Sequence, residues 1–510
     1  MKKPSSTVIT MMLLTLCSKA AGLFRNILMA REFGIGEKAV AFSAASHIPL
    51  SFFDLLFSAA ILGCFIPVYN SFSDAKKQER DAYAVTFFHV LSLLCGALAF
   101  LGIVFAPAVI TLASPGLTGE TKQMAVTLLR ILFPMILFAA QAYTLVGILQ
   151  SKGRFLLPAS ISLFSNGLIV VYLLFFNPLA GDADIYVLAA VYLAAWLLQF
   201  LTLFIPLRLS GFAFPFKMDL HDPALKRSLK MTPPIMIGSW LLPAGWLIGT
   251  FFASLNGIEG GVTVFDYANN AYLMIAGILT YSICNYVFPR LSRLKEGDGE
   301  FEQTLSLSML CALMLILPCL FALLTLGDEV IAVLYLGDAF TADAALLTSP
   351  VLKILVCAMP FFALNEILSR AFYSRQQTRP PMTAALFGVL ANIAVCALSL
   401  LLPSSMLGVA LGALAGQTVS ALFLFFSALS CGMVDKALFP RLLSVLTASL
   451  PAAFAMTALR SLIGGSAFER SMLANIGIAA AVFACGLVLY ALFLYALRRH
   501  LSLTIPKGGS

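Results

Sequence analysis

The chain has 510 residues, 60% hydrophobic and only 11% charged, and its 32 Lys and Arg against 24 Asp and Glu leave a net charge of +8. A soluble domain is about half apolar and about a quarter charged, so this composition excludes a soluble globular enzyme, a disordered chain and a secreted disulfide scaffold. What remains is an all-α polytopic membrane protein. A β-barrel does not fit, because its strands alternate apolar and polar residues whereas this chain stays apolar for about 20 residues at a time.

Hydropathy breaks at polar or Pro/Gly-rich clusters predict fourteen transmembrane helices, at roughly 6–32, 39–71, 82–111, 122–150, 155–177, 184–209, 225–256, 261–290, 301–325, 344–373, 380–402, 406–431, 440–462 and 470–498. Lys2 and Lys3 precede an apolar run that continues past Lys19 and Arg25 without a convincing small-residue cleavage site, so it reads as the first span and not as a signal peptide. With the N-terminus inside, 23 basic residues fall on the cytoplasmic side and 5 outside (Arg31, Lys38, Lys122, Arg460, Arg470). That bias predicts that both termini are cytoplasmic and gives the positive charge an explanation other than nucleic-acid binding. The ten cysteines fall mostly inside apolar runs, form no C-x-x-C pair, and read as small membrane-helix residues.

A charge at the bilayer centre costs roughly 2.5–3.5 kcal/mol on insertion scales, so charges within spans are functional candidates. Span one carries Lys19 and Arg25, about 120° apart around the helix, with Gly22 and Asn26 on the face of Lys19. They read as contacts for an anionic headgroup, or as snorkelling or ion-paired structural cations. Asp54 is the only acid of span two, with His47 two turns earlier on nearly the same face. It either pairs with Lys19 or Arg25 or binds a coupling cation or proton. Arg130 and Lys353 lie near the outer ends of spans four and ten, as snorkelling cations or a symmetric outer gate. Span seven holds Pro233, Pro234 and Pro243 beside Trp240 and Trp246, which suits a hinge, a lateral gate or a kink fixed by packing. Asn269 and Asn270 follow Asp266 and Tyr267 in span eight and either line a polar cavity or cap the helix end. Glu366 and Arg370 have the spacing of an i,i+4 pair. Gly408, Gly412 and Gly416 repeat every four residues, a helix-packing signature.

Two local matches predict an internal repeat. Phe65-Ile66-Pro67 answers Val287-Phe288-Pro289 222 residues later, and Ser151-Lys152 with Pro158 answers Ser374-Arg375 with Pro381 223 residues later. Both relate span n to span n + 6, giving two pseudo-symmetric six-helix lobes, 1–210 and 211–431, followed by two extra helices in 432–510. Such lobes enclose a cavity and rock about it in alternating access. The dipeptide Gly-Lys is absent, so there is no phosphate-binding P-loop; there is no H-E-x-x-H, and the four histidines are scattered. No cofactor and no metal are predicted, and the energy source is the membrane potential or an ion gradient.

The segments Ser18-Lys19-Ala20-Ala21-Gly22-Leu23-Phe24-Arg25-Asn26, Ala30-Arg31-Glu32-Phe33-Gly34, Phe65-Ile66-Pro67 and Ala371-Phe372-Tyr373-Ser374-Arg375-Gln376 through Pro381 resemble the lipid II flippase (MurJ/MviN) family of the multidrug/oligosaccharidyl-lipid/polysaccharide exporter superfamily. The resemblance covers the whole chain. It implies a V-shaped cationic cavity and a groove lined by spans thirteen and fourteen for an undecaprenyl tail. It implies movement of lipid II from the inner to the outer leaflet of the bacterial cytoplasmic membrane. The implied partners are an undecaprenyl-pyrophosphate-linked sugar lipid, membrane lipids and cell-wall synthesis proteins. By position Lys19 replaces a family arginine and Arg25 matches another, both toward the pyrophosphate. Departures are Asn26 for an aspartate; Phe53, Asp54, Ser58 and Ala59 for an arginine pair and Glu-Gly; and Asn269 and Asn270 for an Asp-Arg pair. Lysine at position 19 also lacks the bidentate fork. A less cationic cavity leaves two alternatives: an exporter of another lipid-linked glycan or amphiphile, and a non-transporting paralogue acting as an envelope scaffold.

Overall fold

The computed structural model describes residues 6–58, 61–72, 76–215, 218–291, 294, 299–375, 377–401, 406–435 and 438–497. Among the described residues the regular structure is entirely helical, with no strand. A bilayer offers the backbone no water, and a helix satisfies its own N–H and C=O groups. Eleven helical runs of these residues are long and apolar enough to cross a membrane, and one bent pair makes a twelfth.

By packing, the chain divides into two units, Met1–Asp266 and Tyr267–Ser510. The first holds α1 (Ser6–Phe33), α2 (Glu37–Ser46), α3 (Ile48–Phe53), α4 (Ile66–Asn70), α5 (Lys77–Val104), α6 (Ala106–Ala113), α7 (Gly119–Leu132), α8 (Met135–Ser151), α9 (Leu156–Val171), α10 (Asp184–Leu209), α11 (Pro223–Gly238), α12 (Leu241–Leu255) and the start of α13 (Gly261–Leu291). The second holds the rest of α13 with α14 (Glu300–Tyr335), α15 (Ala342–Val356), α16 (Met359–Ser374), α17 (Arg379–Ser399), α18 (Met406–Ser430), α19 (Leu438–Ile463) and α20 (Met472–Ala496). α15 and α16 are the bent pair, at 43°.

The repeat spacing recurs in the helix bounds. α7 opens at Gly119 and α15 at Ala342, α8 ends at Ser151 and α16 at Ser374, and α9 opens at Leu156 and α17 at Arg379, each pair 223 residues apart. The cation after each Ser, Lys152 and Arg375, closes its helix and lies over a ring, Phe212 at 4.1 Å and Phe301 at 4.0 Å. A cation suits the negative end of a helix. Burial pulls the Lys152 ammonium below its ordinary pKa.

Several spans of the first unit are interrupted, and the breaks in spans two and seven bear on the site. In span two, α3 runs into π-helical segments at Asp54–Ser58 and Ile61–Phe65 before α4. Wide turns of this kind misalign the backbone ladder and often mark working segments. The Leu55 carbonyl there accepts a hydrogen bond from Trp240 Nε1 at 2.9 Å. Span seven breaks at Ser239–Trp240, between α11 and α12. Pro243 lies four residues beyond Ser239, and its ring crowds the helical carbonyl at that offset and removes a hydrogen bond there. α11 runs through Pro233 and Pro234 without interruption, so the break belongs to Pro243.

In the second unit, α14 departs from helical geometry at Leu326, followed by two acids. Asp328 accepts from Lys353 Nζ at 2.8 Å and from Ser349 Oγ at 2.5 Å. Lys353 is therefore an ion-paired residue, while Arg130, its counterpart in α7, is exposed. Glu329 is fully buried and ion-paired with Arg460 and, at 3.5 Å, with Arg470. These pairs tie α14 to α15, α19 and the segment before α20.

The glycine stripe of α18 seats that helix on α17. A Cβ at Gly408 would lie 2.1 Å from Ser399 Cβ, one at Gly412 2.2 Å from Cys396 Sγ, and one at Gly416 2.8 Å from the Gly388 carbonyl oxygen. Gly96 and Gly477, also helical, face open space. Gly412→Ala should lower stability by about 1–3 kcal/mol through overpacking, whereas Gly96→Ala should be neutral or raise it by up to about 1 kcal/mol through helix propensity. Thermal unfolding of the detergent-solubilised chain reads both, and equal effects at the two glycines would contradict the close approach.

Candidate functional site

The cations of span one take different positions. α1 packs along α9, and Gly22 opens the space that Asn166 fills, since a Cβ at Gly22 would stand 3.3 Å from Asn166 Nδ2. Asn166 is buried and its amide donates to the Ser18 carbonyl at 3.4 Å. Its Oδ1 accepts from Arg25 Nη1 at 3.0 Å. Asn26 Oδ1 accepts from Arg25 Nη2 at 2.9 Å and Nε at 3.2 Å, and the guanidinium lies 5.4 Å from the Tyr192 ring centroid. Arg25 is thus held by two amides and a ring, with no carboxylate among its described partners. Its full charge stays available to an anion. Lys19 is exposed and makes no ion pair among the described residues.

Asp54 is exposed on the first π-helical segment, hydrogen-bonded to Ser58, and its described surroundings bring it neither Lys19 nor Arg25. His47 turns instead to Asp266. Its Nε2 lies 3.2 Å from Asp266 Oδ1, which also receives Trp246 Nε1 at 3.3 Å, while Oδ2 accepts from Ser43 Oγ at 3.2 Å. The imidazole lies against the Trp246 ring, centroids 4.5 Å apart. This cluster joins the α2–α3 junction to α12 and α13.

In the second unit, Asn269 and Asn270 are half-buried on α13. Glu366 and Arg370 form the pair their spacing predicts, at 3.5 Å. A buried polar network lies between α16 and α18: Asn365 Nδ2 donates to Gln417 Oε1 at 2.9 Å, and Ser420 Oγ donates to Asn365 Oδ1 at 2.9 Å. A separate apolar cavity of about 330 Å³ is lined by Ile275 of α13, Cys319, Leu323 and Val330 of α14, and Ala479 and Phe483 of α20. Met456 of α19 packs behind it against Ala322, Leu326 and Val482.

Sequence reasoning passed over Asn166, Tyr192 and the partnership of Asp266 with His47. An asparagine inside an apolar run was the available signal for Asn166. The remaining partnerships depend on which helices pack together. An Arg25→Ala, Asn166→Ala double-mutant cycle should show a coupling of about 0.5–3 kcal/mol in unfolding free energy; additive single effects would place the two side chains apart.

A comparison against family profiles finds the one described as lipid II flippase MurJ over residues 29–459. The "Probable lipid II flippase MurJ" of Rhizobium meliloti (strain 1021) is 27% identical over 495 residues, covering 94% of this chain and 90% of that protein. Its namesake in Buchnera aphidicola subsp. Acyrthosiphon pisum (strain APS) is 29% identical over 391 residues, 76% of each. Among solved structures, "Lipid II flippase MurJ, inward closed conformation" shares the fold with a TM-score of 0.79 at 23% identity, over 96% of this chain and all of that one. An inward-facing multidrug resistance MATE transporter of the MOP superfamily follows at 0.67 and 17%, over 83% of this chain and 98% of that one. With a profile match across most of its length, on a helical membrane fold with an uncompensated arginine in its first span, this chain belongs to the lipid II flippase MurJ family.

Proposed function

We propose that the chain moves lipid II, the undecaprenyl-pyrophosphate-linked peptidoglycan precursor, from the inner to the outer leaflet of the bacterial cytoplasmic membrane. The family match carries this reading, and the side chains give it a physical basis. Moving a diphosphate across hydrocarbon needs cations that no carboxylate has already neutralised. Arg25, held by Asn26 and Asn166, fits that need, as does the exposed Lys19, which makes no ion pair among the described residues. Asp54, Asn269 and Asn270 are assigned to the same pathway as polar lining for the sugar and peptide. The apolar cavity between α14 and α20 is assigned to part of the polyprenyl tail.

The architecture proposed with this activity has fourteen spans. α11 with α12, and α13, supply the two beyond the twelve long apolar runs. The lobes are 1–210 and 211–431, with 432–510 as the lipid-groove helices. Both termini face the cytoplasm. The cycle is alternating access without a bound cofactor, coupled to the membrane potential or an ion gradient. Span seven acts as its hinge, with the bend at Ser239–Trp240 set by Pro243 and with Pro233 and Pro234 in the segment that swings. Cell-wall synthesis enzymes are the proposed neighbours.

The test is rescue of a bacterial strain depleted of its own lipid II flippase. Wild type should restore growth, and the Lys19→Ala, Arg25→Ala double variant should fail at equal membrane expression. Growth restored equally by both would remove the two cations from the mechanism. Absence of rescue by a correctly inserted wild type would overturn lipid II as the cargo.

A further inference from the structure

We infer that His47 and Asp266 form a proton-binding site that couples transport to a pH gradient. The inference deepens the transport reading above by naming the coupling ion. Ionisable side chains inside a membrane bundle are costly, and chains of Asp, Glu and His there serve as proton relays in pumps and transporters. Asp266 is 6% exposed and is surrounded by three donors, Ser43 Oγ, Trp246 Nε1 and His47 Nε2. The His47 side chain is 37% exposed against 8% for Asp266, so it is the more accessible member of the pair to a proton. It occupies the single turn residue between α2 and α3.

A neutral imidazole donates one hydrogen bond to the carboxylate. A proton on its second nitrogen converts that bond to an ion pair. Proton uptake therefore tightens the hold of His47 on Asp266, and release returns the contact to a single neutral hydrogen bond beside those from Ser43 and Trp246. The cluster joins span two, through His47 at its bend, to Trp246 of α12 and Asp266 of α13, so the proton acts at that bend. Ser43 and Asp266 are also 223 residues apart, the repeat spacing. The neighbouring titratable groups are few. Tyr192 of α10 is the titratable group beside Arg25 of α1, whose guanidinium lies 5.4 Å from its ring centroid. Asp54 lies two turns further along span two, and α6 and α12 contain no titratable residue.

Protonated histidine quenches an adjacent indole, so the Trp246 contact supplies a readout that needs no substrate. The intrinsic tryptophan emission of the full chain in detergent should fall on acidification between about pH 8 and 5, in the range where histidine titrates. His47→Gln and Trp246→Phe should each abolish this change. In proteoliposomes containing lipid II, an imposed pH gradient should change the wild-type flipping rate several-fold at fixed membrane potential and leave the His47→Gln rate unchanged. An emission that ignores pH, or a titration that survives His47→Gln, overturns the site. A wild-type rate indifferent to the gradient overturns its role in coupling. A chain that flips no lipid II under any driving force refutes the cargo assignment of the preceding section, and the emission titration still decides whether the proton binds.

Discussion

A polar side chain inside an apolar helical bundle has no water to turn to, and this constraint organises the molecule. Each charged or amide group in a span must find a partner on another helix or remain at a surface where a ligand or solvent meets it. Glu329 is fully buried and draws in two arginines from a distant part of the chain. Removing one member of such a set leaves a buried charge uncompensated, which costs about 3–5 kcal/mol. Asn365 recruits Gln417 and Ser420 in the same way. Helix packing in a bilayer gains little from hydrophobicity, so these polar contacts and the glycine stripe of α18 decide which helices lie together.

That logic separates structural polar groups from functional ones. Asp328, Lys353, Glu366 and Arg370 are satisfied by each other or by near neighbours. Arg25 differs because its partners are neutral. An acid at position 26 would cancel its charge; Asn26 orients the guanidinium and leaves the charge intact. The loss of acidic and basic pairs relative to the family pattern therefore does not simply weaken the site. At span eight, where Asn269 and Asn270 stand for an Asp-Arg pair, the net charge presented to a diphosphate is unchanged, span two loses positive charge, and one arginine positioned by Asn26 and Asn166 retains its electrostatic reach.

The membrane class, the long spans, the repeat spacing and the Glu366–Arg370 pair were legible in the sequence because each depends on composition or on residues within one turn. The glycine stripe was legible for the same reason, since three small residues at four-residue spacing describe one helix face. The partner of His47 was not. Helical spacing put Asp54 on its face, but the π-helical turns begin at Asp54 and the chain bends at His47, so helical geometry does not extend between them. Asp266 lies more than two hundred residues away, and nothing local predicts that contact. The position of the span-seven break was half legible. Three prolines announced an irregularity, yet only Pro243 coincides with it, because the clash acts on the residue four positions earlier.

The interrupted segments of the first unit support one another. The π-helical turn at Leu55 presents a carbonyl that Trp240 can reach, and Trp240 is available because α11 stops one residue before Ser239. Tyr83 and Ser228, 2.6 Å apart, fix the far end of α11 to α5. Directional contacts to α5 and span two thus flank α11, with Thr232 donating to Cys64 Sγ at 3.6 Å between them, while its own sequence supplies the break. A segment held by a few directional contacts changes its angle at lower cost than one held by a continuous packed face. In span two the same economy applies: His47 at one bend and Leu55 at the next each place a polar contact where the regular ladder is already interrupted, so a change in either contact acts on backbone that no longer depends on unbroken helical hydrogen bonding.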